Sequence, residues 1–291
     1  MLNIQVLRTH FVARVTGIDL RRPLSENEFM AIRQAFDQYA VVVIPNQPVT
    51  DEQQIAFSER FGVLEPSVRR HRKRNVENAH MSDLTNVDPK TGGLLADNSE
   101  SMSYYLSNQL WHSDSSFKKI SAQASLLSGR EVPPEGAQTE FADTRAAWES
   151  LPPDRQAWLA KQTAMHSLAH SRGLMGYDTG KEFFEIEKKE MPPVPQPMIH
   201  ENLRTGRKAL YVGSHAFSIV GMADADGLTI IEGLVTHATQ PKFVYSHQWQ
   251  QNDLVMWDNR ASLHRGRPWD TQLYRRVMRR TTIAGPECEA A

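Results

Sequence analysis

The stretch W-H-S-D-S-S-F, residues 111–117, places an imidazole and a carboxylate two positions apart in sequence that reads as extended. Side chains alternate faces along a strand, so His112 and Asp114 point to one side while Ser113 points to the other. Both could therefore bind one metal ion. By itself the pattern is also compatible with an N-capping aspartate beside a solvated histidine, so a metal site needs a further ligand from elsewhere in the chain.

The third ligand is expected to come from a distant strand. A candidate strand at residues 253–258 is followed by N-R-A-S-L-H, which ends at His264. Two histidines and one carboxylate form the facial triad that binds non-haem Fe(II) and leaves coordination positions open for substrate and oxygen. We therefore predict that His112, Asp114 and His264 bind one iron ion.

Other histidines and motifs could form competing sites. His166 and His170 would share a face of a helix, but they lack the adjacent glutamate of the H-E-x-x-H metalloprotease motif, so a structural or supporting role is assigned. His200 and His215 are isolated, and either could pack, hydrogen-bond or line a pocket. The chain contains no G-x-S-x-G, P-loop, G-x-G-x-x-G or C-x-x-C motif. Serine hydrolase, nucleotide-binding and zinc-finger functions therefore lack support.

Composition indicates an ordinary globular chain. Its 291 residues are 40% hydrophobic and 23% charged, with a formal net charge of −1, which favours neither nucleic acid nor an anionic membrane as a partner. A basic run at residues 69–74 is interpreted as a solvated face or a lid that attracts anions. The single cysteine, Cys288, excludes an intrachain disulfide, and no signal peptide or membrane span is recognised, so a cytoplasmic location is predicted.

The hydrophobic pattern predicts one elaborated domain, residues 1–291, with many short strands and a few helices. Capping boxes at Ser25 and Thr50 predict two early helices. Two long polar stretches, residues 66–107 and 171–198, are predicted to be active-site loops. The predicted strands are 41–44, 124–128, 139–143, 208–212, 243–249, 254–258 and 274–284, and the later helices are 144–150, 153–162 and 224–238. The fold class is mainly β with helices (α+β), a sandwich or barrel with helical decoration.

Candidate anion-binding groups come from R-R-V-M-R-R-T-T, residues 275–282. Arg275 and Arg279 are four positions apart, so on a strand they face the same side at a separation of roughly 13 Å. Each guanidinium could bind a different carboxylate in bidentate fashion. The alternative is a solvated basic edge strand that discourages pairing with another chain.

Together these segments resemble the taurine/2,4-dichlorophenoxyacetate dioxygenase family. The resemblance lies in W-H-S-D-S-S-F, in W-D-N-R-A-S-L-H-R-G-R-P-W-D at residues 257–270, and in an arginine eleven residues after His264. It extends over nearly the whole chain. Further similar segments are residues 17–20, 51–57, 61–62 and 136–141, and residues 108–111, 191–194 and 253–260 are most similar to the aryloxyacetate branch of the family.

The resemblance implies a double-stranded β-helix, a cupin-like jelly roll with helices packed outside. It implies a dioxygenase that requires Fe(II), 2-oxoglutarate and O2, with ascorbate as a stimulant. It assigns Thr139 and Arg275 to the distal carboxylate of 2-oxoglutarate, and Arg279 to an acidic group of the substrate or keto acid. Asn108 is then expected beside the substrate, and His215 is a further candidate for the substrate pocket.

The implied substrate is a small organic anion, such as the aryloxyacetate 2,4-dichlorophenoxyacetate, whose ether is cleaved to a phenol and glyoxylate, with succinate and CO2 as co-products. Two alternatives remain open. One is an oxygenase for taurine, another alkylsulfonate or another carboxylate on the same scaffold. The other is a non-catalytic jelly-roll protein that binds metal or an anion. A homo-oligomer is also expected.

Overall fold

The computed structural model describes residues 2–67, 76–96, 102, 107–175, 185 and 188–286. The strands are β1 (Asn3–Arg8), β2 (Val12–Thr16), β3 (Val41–Ile44), β4 (Met81–Thr85), β5 (Ala122–Glu131), β6 (Thr139–Asp143), β7 (Thr163–His166), β8 (Val194–Pro197), β9 (Ile199–Glu201), β10 (Lys208–Leu210), β11 (Ala216–Ile219), β12 (Val244–His247), β13 (Leu254–Asp258), β14 (Ser262–Gly266) and β15 (Val277–Ala284). The helices are α1 (Glu26–Tyr39), α2 (Asp51–Glu59), α3 (Thr144–Glu149), α4 (Pro153–Leu159), α5 (Leu168–Gly173) and α6 (Asp224–Ala238), with a 3₁₀ turn at Pro241–Phe243. The fold is mixed and mostly sheet.

A seven-stranded sheet in the order β1-β2-β3-β13-β5-β15-β4 forms the largest element. Every pairing in it is antiparallel except that of β2 with β3. The central strands β3 and β13 are buried along their whole lengths, which is why both read as continuous apolar runs rather than as alternating ones.

Helices α1 and α2 cover one face of the large sheet. Ser25 begins α1 with a capping box, in which its hydroxyl accepts from the Glu28 backbone and the Glu28 carboxylate accepts from the Ser25 backbone. Phe29, Ile32 and Phe36 then recur at helical spacing and pack onto apolar side chains of β5 and β13. This layer is one hydrophobic core.

The other face of the large sheet meets a three-stranded antiparallel sheet in the order β12-β6-β14. Alternation sorts the side chains of β6, so that Phe141 points inward to Trp257 and Met278 while Ala142 joins a separate outer core. That outer core contains residues of α3, α4, α6 and the small sheet β11-β7-β8. The space between the two main sheets is therefore walled on both sides by inward-facing side chains, and it contains the site.

Most of the predicted elements are present, with shorter bounds for several, and three expectations need correction. The stretch 111–117 is not a strand, because only His112 forms an isolated bridge and Ser115 takes a left-handed φ of 55° in the turn that follows. The 66–107 stretch is not all loop, since it contributes β4 to the large sheet. The 171–198 stretch likewise ends in β8, which pairs with β7.

Some expectations fall outside the described residues, namely the basic run at residues 69–74 and Cys288. Within the described part of the chain, no helix combines the length and the apolar character needed to cross a bilayer.

Candidate active site

Two distant backbone segments meet at the site through a single antiparallel bridge. The His112 N–H donates to the His264 carbonyl at 3.0 Å, and the His264 N–H donates to the His112 carbonyl at 2.9 Å. His264 lies on the inward face of β14, opposite Phe141 of β6. The two imidazole centroids are 4.2 Å apart. The long-range β pairing thus brings together side chains that are 152 positions apart in sequence.

His112, Asp114 and His264 form a compact and buried group. One ligand atom from each lies within 4.8 Å of the others, and each residue is at most 6% exposed. The His112 Nε2 is 3.8 Å from the Asp114 Oδ1, and the His264 Nε2 is 3.6 Å from the Asp114 Oδ2. The His112 Nδ1 lies 2.7 Å from the Leu110 carbonyl, which can only accept, so Nδ1 carries the proton and Nε2 presents its lone pair to the group.

A buried hydrogen-bond network holds the Asp114 carboxylate. The Ser125 hydroxyl donates to Asp114 Oδ2 at 2.7 Å, and Asn259 Nδ2 donates to the Ser125 oxygen at 2.9 Å. Asn259 Oδ1 accepts from the Trp257 indole at 2.9 Å and from the Asp114 backbone N–H at 3.2 Å. On the other side, Arg280 Nη1 donates to Asp114 Oδ1 at 2.6 Å. The carboxylate therefore has little freedom to rotate.

The electrostatics of the group suit a metal ion. Burial lowers the pKa of His112 and of His264, so both rings are neutral at pH 7 and can act as ligands. Burial by itself raises the pKa of Asp114, but Arg280 and the neighbouring groups outweigh it and hold that pKa below its usual 3.8. Two neutral imidazoles and one carboxylate are the donor set that non-haem Fe(II) takes.

Two cavities adjoin the group. One, with about 700 Å³ of empty space that includes open solvent, is lined by Phe117, Lys118, His215 and Arg280, among others, with His112 and Asp114. The other, with about 400 Å³ of empty space on the same measure, is lined by His264, Thr139, Arg276, Arg280 and Asn108, again with His112 and apolar residues of β4, β5 and β13. Asn108, His112 and Arg280 line both. Both cavities therefore border the metal group, where a ligand pocket is expected.

Comparison with known proteins shows which family has this site. Residues 3–282 match the family described as taurine catabolism dioxygenase TauD, TfdA family. The chain is 42% identical to the alpha-ketoglutarate-dependent 2,4-dichlorophenoxyacetate dioxygenase of Burkholderia sp. strain RASC, over 99% of this chain and 96% of that protein. The chain belongs to the TauD/TfdA family. As a member, it is an Fe(II)- and 2-oxoglutarate-dependent dioxygenase.

Two further similarities support this membership of the TauD/TfdA family. The chain is 36% identical to the (S)-phenoxypropionate/alpha-ketoglutarate-dioxygenase of Sphingobium herbicidovorans, over 99% of this chain and 97% of that protein. Among solved structures, AAD-2 in complex with Mn(II) and N-oxalylglycine superposes with a TM-score of 0.89 at 42% identity, over 99% of this chain and 98% of that one.

The structure corrects the assignment of two arginines in this TauD/TfdA site. Arg275 lies outside the cavities on the surface, where its guanidinium pairs with Glu131 at 2.7 Å and its side chain is 45% exposed. Arg279 points to the helix layer, 3.7 Å from Asp51. The arginines that line the cavities are Arg276 and Arg280, each one residue later.

The alternation of β15 explains the correction. Met278 is fully buried between the two main sheets, whereas Ile283 packs in the core with α1 and α2. Even-numbered residues of β15 therefore face the cavities, and odd-numbered ones face the helices. Both arginine pairs, 275/279 and 276/280, have the same spacing, so the sequence pattern alone does not choose between them. The repeated R-R dipeptide was the signal that either pair of arginines could face the cavities.

The remaining predicted site residues have the following positions. Thr139 begins β6, is 4% exposed and lines the same cavity as Arg276. Asn108 lines both cavities, and its Nδ2 is buried without a hydrogen-bond partner among the described residues. The His215 ring packs edge-on against His112 with centroids 6.0 Å apart, and its Nδ1 is 3.2 Å from the Ser116 hydroxyl. The residues that sequence reasoning missed are Ser125, Trp257, Asn259, Arg276 and Arg280.

The predicted helical pairing of His166 and His170 is wrong. His166 ends β7, whereas His170 lies in α5 and packs near Phe217. The His166 ring is 1% exposed, stacks on Tyr211 at 5.6 Å, and neither ring nitrogen has a hydrogen-bond partner among the described residues. A second imidazole, His200, contacts the same tyrosine at 4.3 Å. These residues therefore form a packed structural cluster.

The Ser125 hydroxyl gives a testable prediction for metal affinity. Ser125→Ala removes the donor to Asp114 Oδ2, and loss of a hydrogen bond that orients a metal ligand weakens metal binding by about 10-fold. Titration of the apoenzyme with Mn(II) or Co(II) by calorimetry measures the change. The matched control is Ser128→Ala on the same strand, whose buried hydroxyl donates to Gln54 instead. Equal affinities of the two variants would contradict the role of Ser125.

Burial of His166 gives a prediction for acid stability. Burial, with His200 beside it, lowers the pKa of His166 from 6.5 to about 3. The ring is neutral when folded and takes up a proton on unfolding, so its contribution to stability is complete above pH 6.5 and is lost as the pH falls from 6.5 towards 3. In His166→Leu the free energy of unfolding should therefore fall less steeply with decreasing pH, by about 1.4 kcal/mol per pH unit. Urea titrations between pH 6 and 4.5 measure this, and parallel curves for the two proteins would refute it.

Proposed function

We propose that this chain cleaves the ether of an aryloxyacetate such as 2,4-dichlorophenoxyacetate, giving the phenol and glyoxylate, while 2-oxoglutarate and O2 become succinate and CO2. The observation that carries the proposal is the buried His112, Asp114 and His264 group, open to two cavities that each contain an arginine. The names of the two aryloxyalkanoate dioxygenases that the chain resembles support the substrate class.

The His112, Asp114 and His264 side chains would hold Fe(II). Bound there with 2-oxoglutarate and O2, the iron supplies the oxidising chemistry that hydroxylates the carbon next to the ether oxygen. The resulting hemiacetal breaks down to the phenol and glyoxylate. The network through Ser125 and Asn259 keeps the carboxylate oriented for this role.

Thr139 and Arg276 would bind the distal carboxylate of 2-oxoglutarate. They line one cavity with His112 and His264, so a dicarboxylate held at the metal by one end could reach them with the other. The planar guanidinium suits bidentate binding of a carboxylate, and the threonine hydroxyl can add a third donor. Leucines of β4 and β5 line the same cavity and help to exclude water.

Arg280, Asn108 and His215 would orient the substrate. Arg280 and Asn108 border both cavities, and Arg280 Nε and Asn108 Nδ2 lack a hydrogen-bond partner among the described residues, so a negatively charged oxygen could accept from both. Burial keeps the pKa of His215 well below its usual value, so its ring is neutral. If the Ser116 hydroxyl donates to Nδ1, the proton of the ring sits on Nε2 and is available to an anion.

The fold and assembly that we propose follow from the same membership. The seven-stranded and three-stranded sheets would be the two halves of a double-stranded β-helix, with the site between them, and residues 1–291 would form one domain. The similarity to AAD-2 and to other TauD-type structures supports this arrangement. A homo-oligomer and a cytoplasmic location remain predictions, which light scattering and cell fractionation would test.

Two measurements test the function. Under anaerobic conditions, Fe(II) plus 2-oxoglutarate should give a weak visible charge-transfer band if the keto acid chelates the metal. Substrate-dependent succinate formation should then be measured, with and without ascorbate, across aryloxyacetates, both enantiomers of phenoxypropionate, taurine and other alkylsulfonates. We expect succinate and phenol in equal amounts with an aryloxyacetate.

The outcomes separate the alternatives. Succinate formation with an alkylsulfonate but with none of the aryloxyalkanoates would replace the proposed substrate by a sulfonate. The absence of both the absorption band and any 2-oxoglutarate turnover would instead indicate a non-catalytic protein that binds metal or an anion.

A further inference from the structure

The Thr139 hydroxyl is held by a tryptophan that does not line either cavity of the site. The Trp249 indole N–H donates to Thr139 Oγ1 at 2.9 Å, and both residues are 4% exposed. Trp249 follows the end of β12, the strand that pairs with β6, and the register places His247 opposite Thr139. This hydrogen bond is therefore buried and is not a surface contact.

The chemistry of the bond fixes what the hydroxyl can do. An indole N–H is only a donor, so the threonine oxygen must accept from it and must turn its own proton elsewhere. No described residue supplies a hydrogen-bond acceptor for that proton. Because Thr139 lines the cavity that also contains Arg276, the proton is available to a ligand in that cavity. A donor beside a guanidinium suits a carboxylate oxygen.

The indole is itself fixed from two sides. The His247 ring packs edge-on against it, with centroids 4.7 Å apart at 86°, and His247 Nε2 lies 3.1 Å from Asp253 Oδ2. Gly129 of β5 lies beside the indole, since a Cβ there would be in van der Waals contact with Trp249 Cε3 at 3.4 Å. The indole is thus packed on two sides in the position from which it donates to Thr139.

From this geometry we infer that Trp249 is a positioning residue for the keto acid: it sets the direction in which Thr139 donates to the distal carboxylate. The inference rests on the proposed role of Thr139 in 2-oxoglutarate binding and adds a residue that touches neither the metal ligands nor the cavity. It predicts an effect confined to the keto acid.

The test uses Trp249→Phe, which keeps an aromatic ring. It removes the N–H donor and part of the side-chain volume. We expect the Kd of 2-oxoglutarate, measured anaerobically from the Fe(II) charge-transfer band, to rise about fivefold, the loss typical of one hydrogen bond. The affinity for Mn(II) and the KM for the aryloxyacetate should stay unchanged. The matched control is Trp158→Phe on α4, outside both cavities.

A double-mutant cycle separates positioning from a general structural role. If Trp249 acts through Thr139, then adding Trp249→Phe to Thr139→Val should not weaken 2-oxoglutarate binding further. Additive losses, an unchanged Kd in Trp249→Phe, or an equal loss of metal and keto-acid binding would each overturn the inference. Failure of the proposed function looks different, because the wild-type enzyme itself would then give no charge-transfer band with 2-oxoglutarate.

Discussion

His264→Leu should abolish Fe(II)-dependent turnover, and it should lower the affinity for Fe(II) or Mn(II) on the order of 10³-fold. One protein ligand out of three is lost, which corresponds to about 4 kcal/mol of binding free energy. Leucine is chosen because it fills most of the space between Trp257 and Phe141, which flank the ring, so the fold should survive. Calorimetric titration of the apoenzyme with Mn(II) and assay of succinate measure both effects.

The control for this variant is His237→Leu. His237 lies on α6, where it is half-buried and hydrogen-bonded to Ser150 and to the Ala147 carbonyl, so it matches His264 in residue type but not in position. The metal affinity of the His237→Leu variant should equal that of the wild type. The proposed iron centre would be disproved if His264→Leu kept high metal affinity and turnover while its thermal unfolding transition matched that of the wild type.

Arg276→Ala should raise the KM and the Kd for 2-oxoglutarate by about 100-fold, whereas Arg275→Ala should leave them unchanged. Arg276 is 3% exposed and lines the cavity beside Thr139, and two charge-assisted hydrogen bonds to a carboxylate are worth about 3 kcal/mol. Arg275 is paired with Glu131 at the surface, and an exposed ion pair contributes little. Steady-state kinetics with varied 2-oxoglutarate measure the difference.

These adjacent arginines are each other's control, because the two substitutions remove the same side chain one position apart. Metal affinity should be the same in both variants, since no hydrogen bond or ion pair in the described part of the chain joins either residue to His112, Asp114 or His264. The reverse result, with a large effect in Arg275→Ala and none in Arg276→Ala, would restore the assignment made from the sequence and would contradict the register of β15 in the structure.

Much of the fold could be predicted because local signals agreed with the tertiary structure. The capping boxes at Ser25 and Thr50 begin α1 and α2 as expected, and the apolar run at residues 41–44 forms the buried strand β3. Such signals depend on neighbours in sequence, so they can be read without the fold. Strand β4 could not be predicted from the sequence, because M-S-D-L-T becomes a strand only by pairing with the distant β15.

The prediction for residues 111–117 led to the right neighbours for a partly wrong reason. Strict alternation along a strand was expected to put His112 and Asp114 on one side. In the structure a one-residue bridge to His264 fixes His112, and a turn with Ser115 in the left-handed region directs Asp114. The spacing H-x-D is compatible with either backbone, so the side chains meet even though the local structure differs.

By itself, the sequence determined which residue types could form the metal group and which family they resemble, because a two-histidine, one-carboxylate set needs particular side chains whatever the fold. Only the tertiary structure decided which arginines face the cavities and which residues hold Asp114 and Thr139. Arg275 and Arg276 are the same residue type one step apart, and on a strand one step reverses the face. That choice is made by how β15 pairs with β4 and β5, whose paired residues lie between 146 and 200 positions away in sequence, and no local pattern in R-R-V-M-R-R contains that information.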